Sequence, residues 1–303
     1  MKIKKGVLAV FLLYTLLTPL LFTNIKDKLY QPQKNTPEDI STTATAGETI
    51  TLSDQGKIIT LSLEEYVTNA LCCEINPTYH TEALKAQAVA LRTYSIYCKQ
   101  NKPQNQEYDI AVDSSSCSGY ADNKTLQKMW GNQFSNYYNI MSNATKETSG
   151  LVVIYSGKLT VPAWFAFSSG HTESSKDMWQ NDQPYLIGVN SQWDLLATDY
   201  TAAQSFTPQQ IKDALKELQI VFSGDEQQWF SNLQTTQNKG VIKLDICGQS
   251  ITGMQLYQAL SLCSTCFTVT YSNGEFVFET LGFGHGVGMS QYGADYLAQQ
   301  GKS

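Results

Sequence analysis

The segment LSLEEYVTNALCCEINP, residues 61–77, places a carboxyl group on an otherwise apolar helix face. Apolar side chains recur with the spacing of a buried helical stripe at Leu63, Tyr66, Val67, Ala70 and Leu71. The next position on this stripe is Glu74. Burial and the negative end of the helix are both expected to raise the pKa of this carboxyl group, which favours a general acid for a glycosidic oxygen. Alternatively, the stripe ends earlier and Glu74 faces solvent or pairs with Arg92.

Two polar residues of the next predicted helix, Gln87 and Arg92, are candidate substrate contacts because of their position and type. Arg92 lies among small and apolar residues. Its guanidinium group could pair with Glu74, hold a substrate hydroxyl or carboxylate, or reach water while its stem lies along the core.

The C-terminal run GFGHGVGMSQYGA, residues 282–294, alternates glycine with larger residues. In a strand, this pattern leaves one face without side chains, so another backbone or a ligand can approach closely. His285 could donate to a sugar oxygen or be a satisfied structural residue. Ser290 is predicted to cap a final helix. Ser290 and the next two residues, Gln291 and Tyr292, are candidate substrate contacts.

A second polar segment, FSSGHTESS at residues 167–175, follows an aromatic stretch. Ser169, His171 and the nearby Tyr185 could line a carbohydrate groove, where hydroxyl groups bond sugars and aromatic faces stack on them. The alternative is an ordinary turn rich in serine and glycine.

Other chemistries have weaker support. The histidines at 80, 171 and 285 lack metal-ligand spacing, so we predict no metal and no cofactor. Cys72 or Cys73 could form a nucleophilic pair with His285 only if the fold brought them together. An odd total of seven cysteines excludes complete internal pairing, and Cys263 with Cys266 is the closest non-adjacent pair for a disulfide. Small buried side chains are the alternative for these thiols.

Composition bounds the partners. The chain of 303 residues has 42% apolar residues, enough to fill a core, and a net charge of -6, which argues against nucleic acid. Charged residues make up only 16%, while amide and hydroxyl side chains are plentiful, as suits a neutral, hydroxyl-rich ligand.

The N-terminus predicts export. Lys2, Lys4 and Lys5 precede an apolar run at residues 6–22, so residues 1–25 form either an uncleaved transmembrane helix or a signal peptide. Residues 26–50 are a polar tether in either case, and the working domain is expected outside the cytoplasm.

The remaining elements predict an α+β fold in one large mixed domain, residues 51–303. Helices are expected from Ser62, from a Thr81 cap, over 126–149, from Thr207-Pro208 and from Gly253. Hairpin turns are expected at Ser156-Gly157 and Asn273-Gly274.

Three segments together resemble the stage II sporulation protein D family, over roughly residues 50 to 303. They are LSLEEYVTNALCCEINP with the following EALKAQAVALRTY, WFAFSSGHTESSKDMWQNDQPYL and GFGHGVGMSQYGA. The resemblance implies a membrane-anchored lytic transglycosylase that cleaves between N-acetylmuramic acid and N-acetylglucosamine in peptidoglycan strands whose stem peptides have been removed. It places Glu74 at the position of the catalytic acid.

The same resemblance implies a setting and partners. These are engulfment during endospore formation, a stage II sporulation protein P-like amidase, membrane engulfment proteins and the mother-cell membrane around the forespore. Some relatives carry a Cys/His cluster where only Cys117 remains here, so no zinc is predicted. The chain also stops soon after the last motif, so we expect it to be truncated at its C-terminus. A non-catalytic glycan-binding enhancer of a cell-wall amidase is the alternative function.

Overall fold

A computed structural model describes Ser41–Thr42 and residues 47–303. The predicted N-terminal membrane segment lies outside these residues, as does most of the tether. Within the described part of the chain, no helix combines the length and hydropathy that crossing a bilayer requires. The last residues of the predicted tether are already structured, because Thr49 begins a six-residue strand.

The described residues mix helices with mostly antiparallel strand pairs, so the α+β character is confirmed. The helices are α1 Leu63–Glu74, α2 Thr81–Asn101, α3 Asn123–Trp130, α4 Phe134–Glu147, α5 Ser175–Trp179, α6 Pro208–Ala214, α7 Gly253–Leu260 and α8 Gln291–Gln299. The strands are β1 Ser41–Thr42, β2 Thr49–Asp54, β3 Lys57–Ser62, β4 Ile110–Val112, β5 Leu151–Val152, β6 Ile154–Tyr155, β7 Lys158–Leu159, β8 Trp164–Phe165, β9 Thr201–Phe206, β10 Phe230–Thr235, β11 Val241–Ile246, β12 Gln249–Thr252, β13 Phe267–Ser272, β14 Glu275–Leu281 and β15 Met289–Ser290.

The chain divides into two compact units, which corrects the expectation of a single domain. The first unit contains the described residues up to Pro162 and the C-terminal residues 294–303, and the second contains 163–293. The division could not be seen in the sequence because no linker composition marks it. It falls inside VPAWF, within a stretch that reads as continuous β-structure.

The first unit is built around α1 and α2, which pack against each other and against α4. Helix α1 begins where the sequence predicts, with the Ser62 side chain accepting the Glu65 N–H at 3.3 Å. The strand before it, β3, pairs with β2, and β2 pairs in parallel with β4. The sheet therefore fixes both the start of α1 and the segment that follows α2.

Two helix boundaries differ from expectation. His80 rather than Thr81 caps α2, its Nδ1 accepting the Glu82 N–H at 3.2 Å. The predicted single helix over 126–149 is two helices, because Gly131 adopts φ +53° and breaks the ladder between α3 and α4. The hairpin at Ser156-Gly157 is confirmed by the β6–β7 pair.

The second unit contains two three-stranded antiparallel sheets, ordered β13-β14-β9 and β10-β11-β12. Helices α6 and α7 begin at the predicted residues, each with a capping box. The predicted Asn273-Gly274 turn joins β13 to β14, with φ +53° and +81° at these residues. The apolar core of this unit includes Ile211, Leu244, Leu256, Tyr257, Phe276 and Phe278.

The glycine run packs against protein backbone of its own unit. A Cβ at Gly288 would lie 2.2 Å from the Ala163 carbonyl oxygen, and one at Gly282 would lie 2.8 Å from the Phe167 carbonyl oxygen. The four glycines at 282, 284, 286 and 288 all have positive φ, so they do not form an extended strand. The expected close approach of another backbone is therefore present at Gly282 and Gly288.

Candidate functional site

Glu74 is the last residue of α1, and only 5% of its surface is exposed. Leu71, Cys72 and Cys73 of the same turn are also buried. Ile75 then leaves the helix with extended dihedrals, its N–H reaching the Leu71 carbonyl oxygen at 3.4 Å. The buried stripe therefore continues to residue 74, and the alternative in which this carboxyl group faces solvent is wrong.

Tyr66 lies two turns before Glu74 on the same stripe and is wholly buried. Burial raises the pKa of its phenol most, and the charges of Cys98 and Glu74 raise this pKa further. The Glu74 carboxyl group is thus within electrostatic range of the Tyr66 hydroxyl. A charged Glu74 and an ionised Tyr66 disfavour each other in this apolar surrounding.

Cys73, directly before Glu74, forms a disulfide with Cys117, 44 residues away in sequence. Cys263 and Cys266, the predicted pair, are free and buried. Oxidation removes Cys73 as a nucleophile, and burial raises the pKa of the Cys72 thiol, so neither supports the thiol mechanism. Sequence reasoning missed the disulfide because spacing does not reveal a pair this distant; the lone cysteine in a polar loop was the available hint.

The other end of the disulfide lies in a closed loop, residues 113–118. The backbone groups of Asp113 and Ser118 exchange two hydrogen bonds of 2.9 Å. The Asp113 carboxylate accepts bonds from Gln55, Ser115 and Ser116, which hold the pKa of this carboxyl at about 2. The loop follows β4 directly, so it is attached to the sheet that also positions α1.

Arg92 has a structural role, which corrects its prediction as a substrate contact. Its guanidinium group is wholly buried and bonds both oxygens of Glu64, at 2.7 and 2.6 Å. The remaining bonds go to the backbone carbonyls of Leu151 and Thr145. The predicted pairing with Glu74 is also wrong, because Glu64 lies ten residues earlier on α1, roughly 15 Å along the helix. Gln87, the other candidate on α2, has a fully buried side chain.

His285 lies in the second unit and is a structural histidine, which was the alternative to a sugar contact. Its Nδ1 accepts the Val287 N–H at 3.1 Å, and the ring donates to the Trp164 carbonyl. The ring is 1% exposed and packs edge-on against Trp179, with centroids 5.2 Å apart. Both ring nitrogens are occupied by backbone groups, so His285 is not available to a sugar.

This histidine makes stability depend on pH. Burial lowers the pKa of His285 from 6.5 to about 4, although the bond to Trp164 opposes this change. Between these values the unfolded chain binds more protons than the folded chain, so stability falls as pH drops from 6.5 to 4. We expect a contribution of about 3 kcal/mol. Urea unfolding between pH 7 and pH 4 should show a shallower loss in His285→Gln than in the wild type; equal losses would contradict this role.

Ser290 caps α8, as predicted, by accepting the Gly293 N–H at 2.9 Å. Its hydroxyl donates to Asp194, a fully buried carboxylate that the sequence did not single out. Asp194 also accepts the N–H and hydroxyl of Ser168, at 2.7 and 2.6 Å. Asp194 therefore ties Ser290 to the polar segment after β8, and Ser290 is occupied structurally rather than open to substrate.

The remaining candidates of the second unit differ in exposure. Ser169 is half-buried and donates to the Asn238 carbonyl at 3.0 Å. His171 is exposed, while Tyr185 is half-buried against an apolar cluster. Tyr292 meets Phe167 edge-on, and Gln291 is buried at the start of α8. The predicted lining is thus a set of separate environments, of which His171 is the one open to solvent.

Within the residues that the structure describes, no three His, Cys, Asp or Glu side chains gather as potential metal ligands. Glu173 is a buried carboxyl of the second unit, held by the Thr236 hydroxyl and the Gly240 N–H, both at 2.9 Å. Burial raises its pKa, while these two bonds oppose the change. The two hydrogen bonds connect Glu173 to the segment around residue 240 and stabilise it.

The chain is similar in sequence to a described protein family and to several known proteins. The profile of a family described as "Stage II sporulation protein" matches residues 52–155, which include Glu74 and both cysteines of the disulfide. A protein of Bacillus amyloliquefaciens named "Stage II sporulation protein D" is 31% identical over 245 residues, covering 80% of this chain and 70% of the relative. The protein of that name in Bacillus subtilis (strain 168) is 29% identical, with the same coverage.

A more distant relative, the "Amidase enhancer" of Bacillus subtilis (strain 168), is 25% identical over 281 residues. That alignment covers 76% of this chain and 37% of the relative. The identity and coverage of the first relative, together with the profile match around Glu74, decide the family. The chain belongs to the stage II sporulation protein D family.

Proposed function

We propose that this protein is a peptidoglycan lytic transglycosylase in which Glu74 is the general acid and base. The observation that carries the proposal is the burial of this carboxyl group at the end of α1. Removal from water favours the neutral form of a carboxylic acid, the form that can donate a proton. The position is also the one that the family resemblance assigns to its acid.

A single carboxyl group suffices for this reaction. The Glu74 acid protonates the oxygen between N-acetylmuramic acid and N-acetylglucosamine, and the bond from the muramic anomeric carbon to that oxygen breaks. The resulting carboxylate accepts the proton of the muramic C6 hydroxyl, whose oxygen bonds the anomeric carbon. This closes an anhydro ring and restores the acid, so no water is consumed. An ordinary glycosidase would need a second carboxylate for water or the sugar.

The proposed substrate is a glycan strand without stem peptides, and the proposed setting is engulfment during sporulation. The names of the two Bacillus relatives support sporulation. The disulfide supports a compartment outside the cytoplasm, where thiols oxidise. We further propose attachment by the N-terminal segment to the mother-cell membrane around the forespore, with a stage II sporulation protein P-like amidase and membrane engulfment proteins as partners.

Products formed in ¹⁸O-labelled water test this function. Purified protein should convert peptide-free strands into fragments with anhydro-muramic ends and no heavy oxygen, because the C6 hydroxyl supplies the new bond. Mass spectrometry distinguishes these ends from reducing ends that carry ¹⁸O. Amidase-treated sacculi should be cut faster than untreated ones. Labelled reducing ends would show hydrolysis and overturn the proposal.

The second candidate is a glycan-binding enhancer of an amidase without chemistry of its own. The similarity to a protein named "Amidase enhancer" favours it. A binding module does not need the Glu74 acid, so Glu74→Gln would stimulate amidase as strongly as the wild type. Stimulation by both proteins, with no new glycan ends, would favour this candidate.

A further inference from the structure

The last turn of α1, which carries Glu74, is buried, and a disulfide links it to a loop distant in sequence. A helix end leaves carbonyl groups without partners inside the helix. Here no basic side chain lies in the last turn, and the Ile75 bond to Leu71 is long at 3.4 Å. The covalent bond from Cys73 to Cys117 acts one residue before Glu74. It is therefore a covalent connection between this turn and a distant segment of the first unit.

The loop at the other end of the disulfide is well restrained. Besides its closing backbone bonds, Ser114 bonds Asp54 of β2 through both its N–H and its hydroxyl. Cys117 itself adopts φ +59°, a left-handed conformation that costs energy for a residue with a side chain. Such a conformation persists because its surroundings fix it. The disulfide thus joins the helix end to a rigid extension of the sheet.

We propose that the Cys73–Cys117 disulfide positions Glu74, so that the oxidised protein cleaves glycan and the reduced protein binds it without efficient turnover. This inference rests on the proposed function. The disulfide does not touch the substrate in this role; Cys73 and Cys117 act through the backbone of the last helical turn. Reduction by dithiothreitol breaks the S–S bond and leaves two protein thiols, while the reductant closes into its own cyclic disulfide.

The test compares oxidised and reduced full-length chain, with the disulfide state read by mass spectrometry after alkylation. A displacement of about 1 Å at a catalytic group can cost about 100-fold in rate. We therefore expect kcat on peptide-free strands to fall roughly 10- to 100-fold on reduction, with KM little changed. Reoxidation should restore kcat. The Cys73→Ala/Cys117→Ala double variant should have the kcat of the reduced protein, and dithiothreitol should not change it.

Cys72→Ala is the matched control, since this cysteine is buried in the same turn but lies outside the disulfide. It should retain the full response to reductant. Hydrogen exchange supplies a readout that needs no activity: amides of residues 71–75 should exchange at least about tenfold faster after reduction, while those of β2 and β3 stay protected.

The outcomes separate the two proposals. If reduction speeds exchange at residues 71–75 but the oxidised protein makes no anhydro ends, the proposed function is wrong, and the catalytic role of the disulfide is wrong with it. Normal anhydro ends with equal kcat in both redox states would remove the positioning role alone. Loss of protection throughout β2 and β3 on reduction would also overturn it, in favour of a general stabilising bond.

Discussion

Glu74→Gln is expected to reduce turnover of peptide-free glycan strands by about 10³-fold or more, since in the proposed mechanism one group serves as both acid and base. Glutamine keeps the shape of the side chain but can neither donate nor accept the transferred proton. Because the substrate is still bound, KM should change little, and the loss should appear in kcat. Counting anhydro ends by mass spectrometry under single-turnover conditions measures it directly.

Glu65→Gln provides the matched control for this experiment. It makes the same chemical change on the same helix, but at an exposed residue of the first turn. Its turnover should equal that of the wild type. A Glu74→Gln protein that still cuts strands at the rate of this control would exclude Glu74 as the acid.

Glu64→Gln is expected to destabilise the protein by about 2–3 kcal/mol, because it leaves the buried Arg92 charge without its counter-charge. The Glu64 side chain is 37% exposed, so water offsets part of the loss. Arg92 is 0% exposed, so its positive charge would remain in the protein interior with only carbonyl oxygens and an amide around it. The charge cannot be lost by deprotonation, because the guanidinium group stays protonated in proteins. Chemical unfolding at pH 7 measures the effect.

The same exposed control, Glu65→Gln, separates this ion pair from the general benefit of an acid in the first turn of a helix. That benefit is about 0.3–1 kcal/mol for each residue. If Glu64→Gln lost no more stability than Glu65→Gln, the bidentate pair would be an ordinary surface interaction and Arg92 would tolerate the loss of its partner.

Local elements of this fold were accessible from sequence because their determinants lie within a few residues. Ser62, Thr207 and Ser290 cap helices as predicted, and Asn273-Gly274 supplies the positive φ that its hairpin turn requires. Helical periodicity placed Glu74 on the predicted buried stripe, with solvent exposure as the alternative, and the structure shows the residue buried.

The interactions that sequence reasoning missed join residues distant in the chain. Arg92 lies 28 positions from Glu64, and Cys117 lies 44 from Cys73. Asp194 is separated from Ser290 by 96. Side-chain type showed that Arg92, His285 and Ser290 were unusual, but not whether a protein group or a ligand satisfied them. Which of the two satisfies each side chain depends on tertiary packing, and tertiary packing leaves no pattern in the neighbouring sequence.

The second unit is inserted into the first, since residues 294–303 return to the unit that begins the chain. Asp295 accepts the His80 N–H at 2.6 Å, across 215 residues. A ribosome delivers a chain from its N-terminus, so the helix pair containing Glu74 emerges long before residues 294–303. The hydrogen bond between His80 and Asp295 can therefore form only after the intervening residues of the second unit have been synthesised.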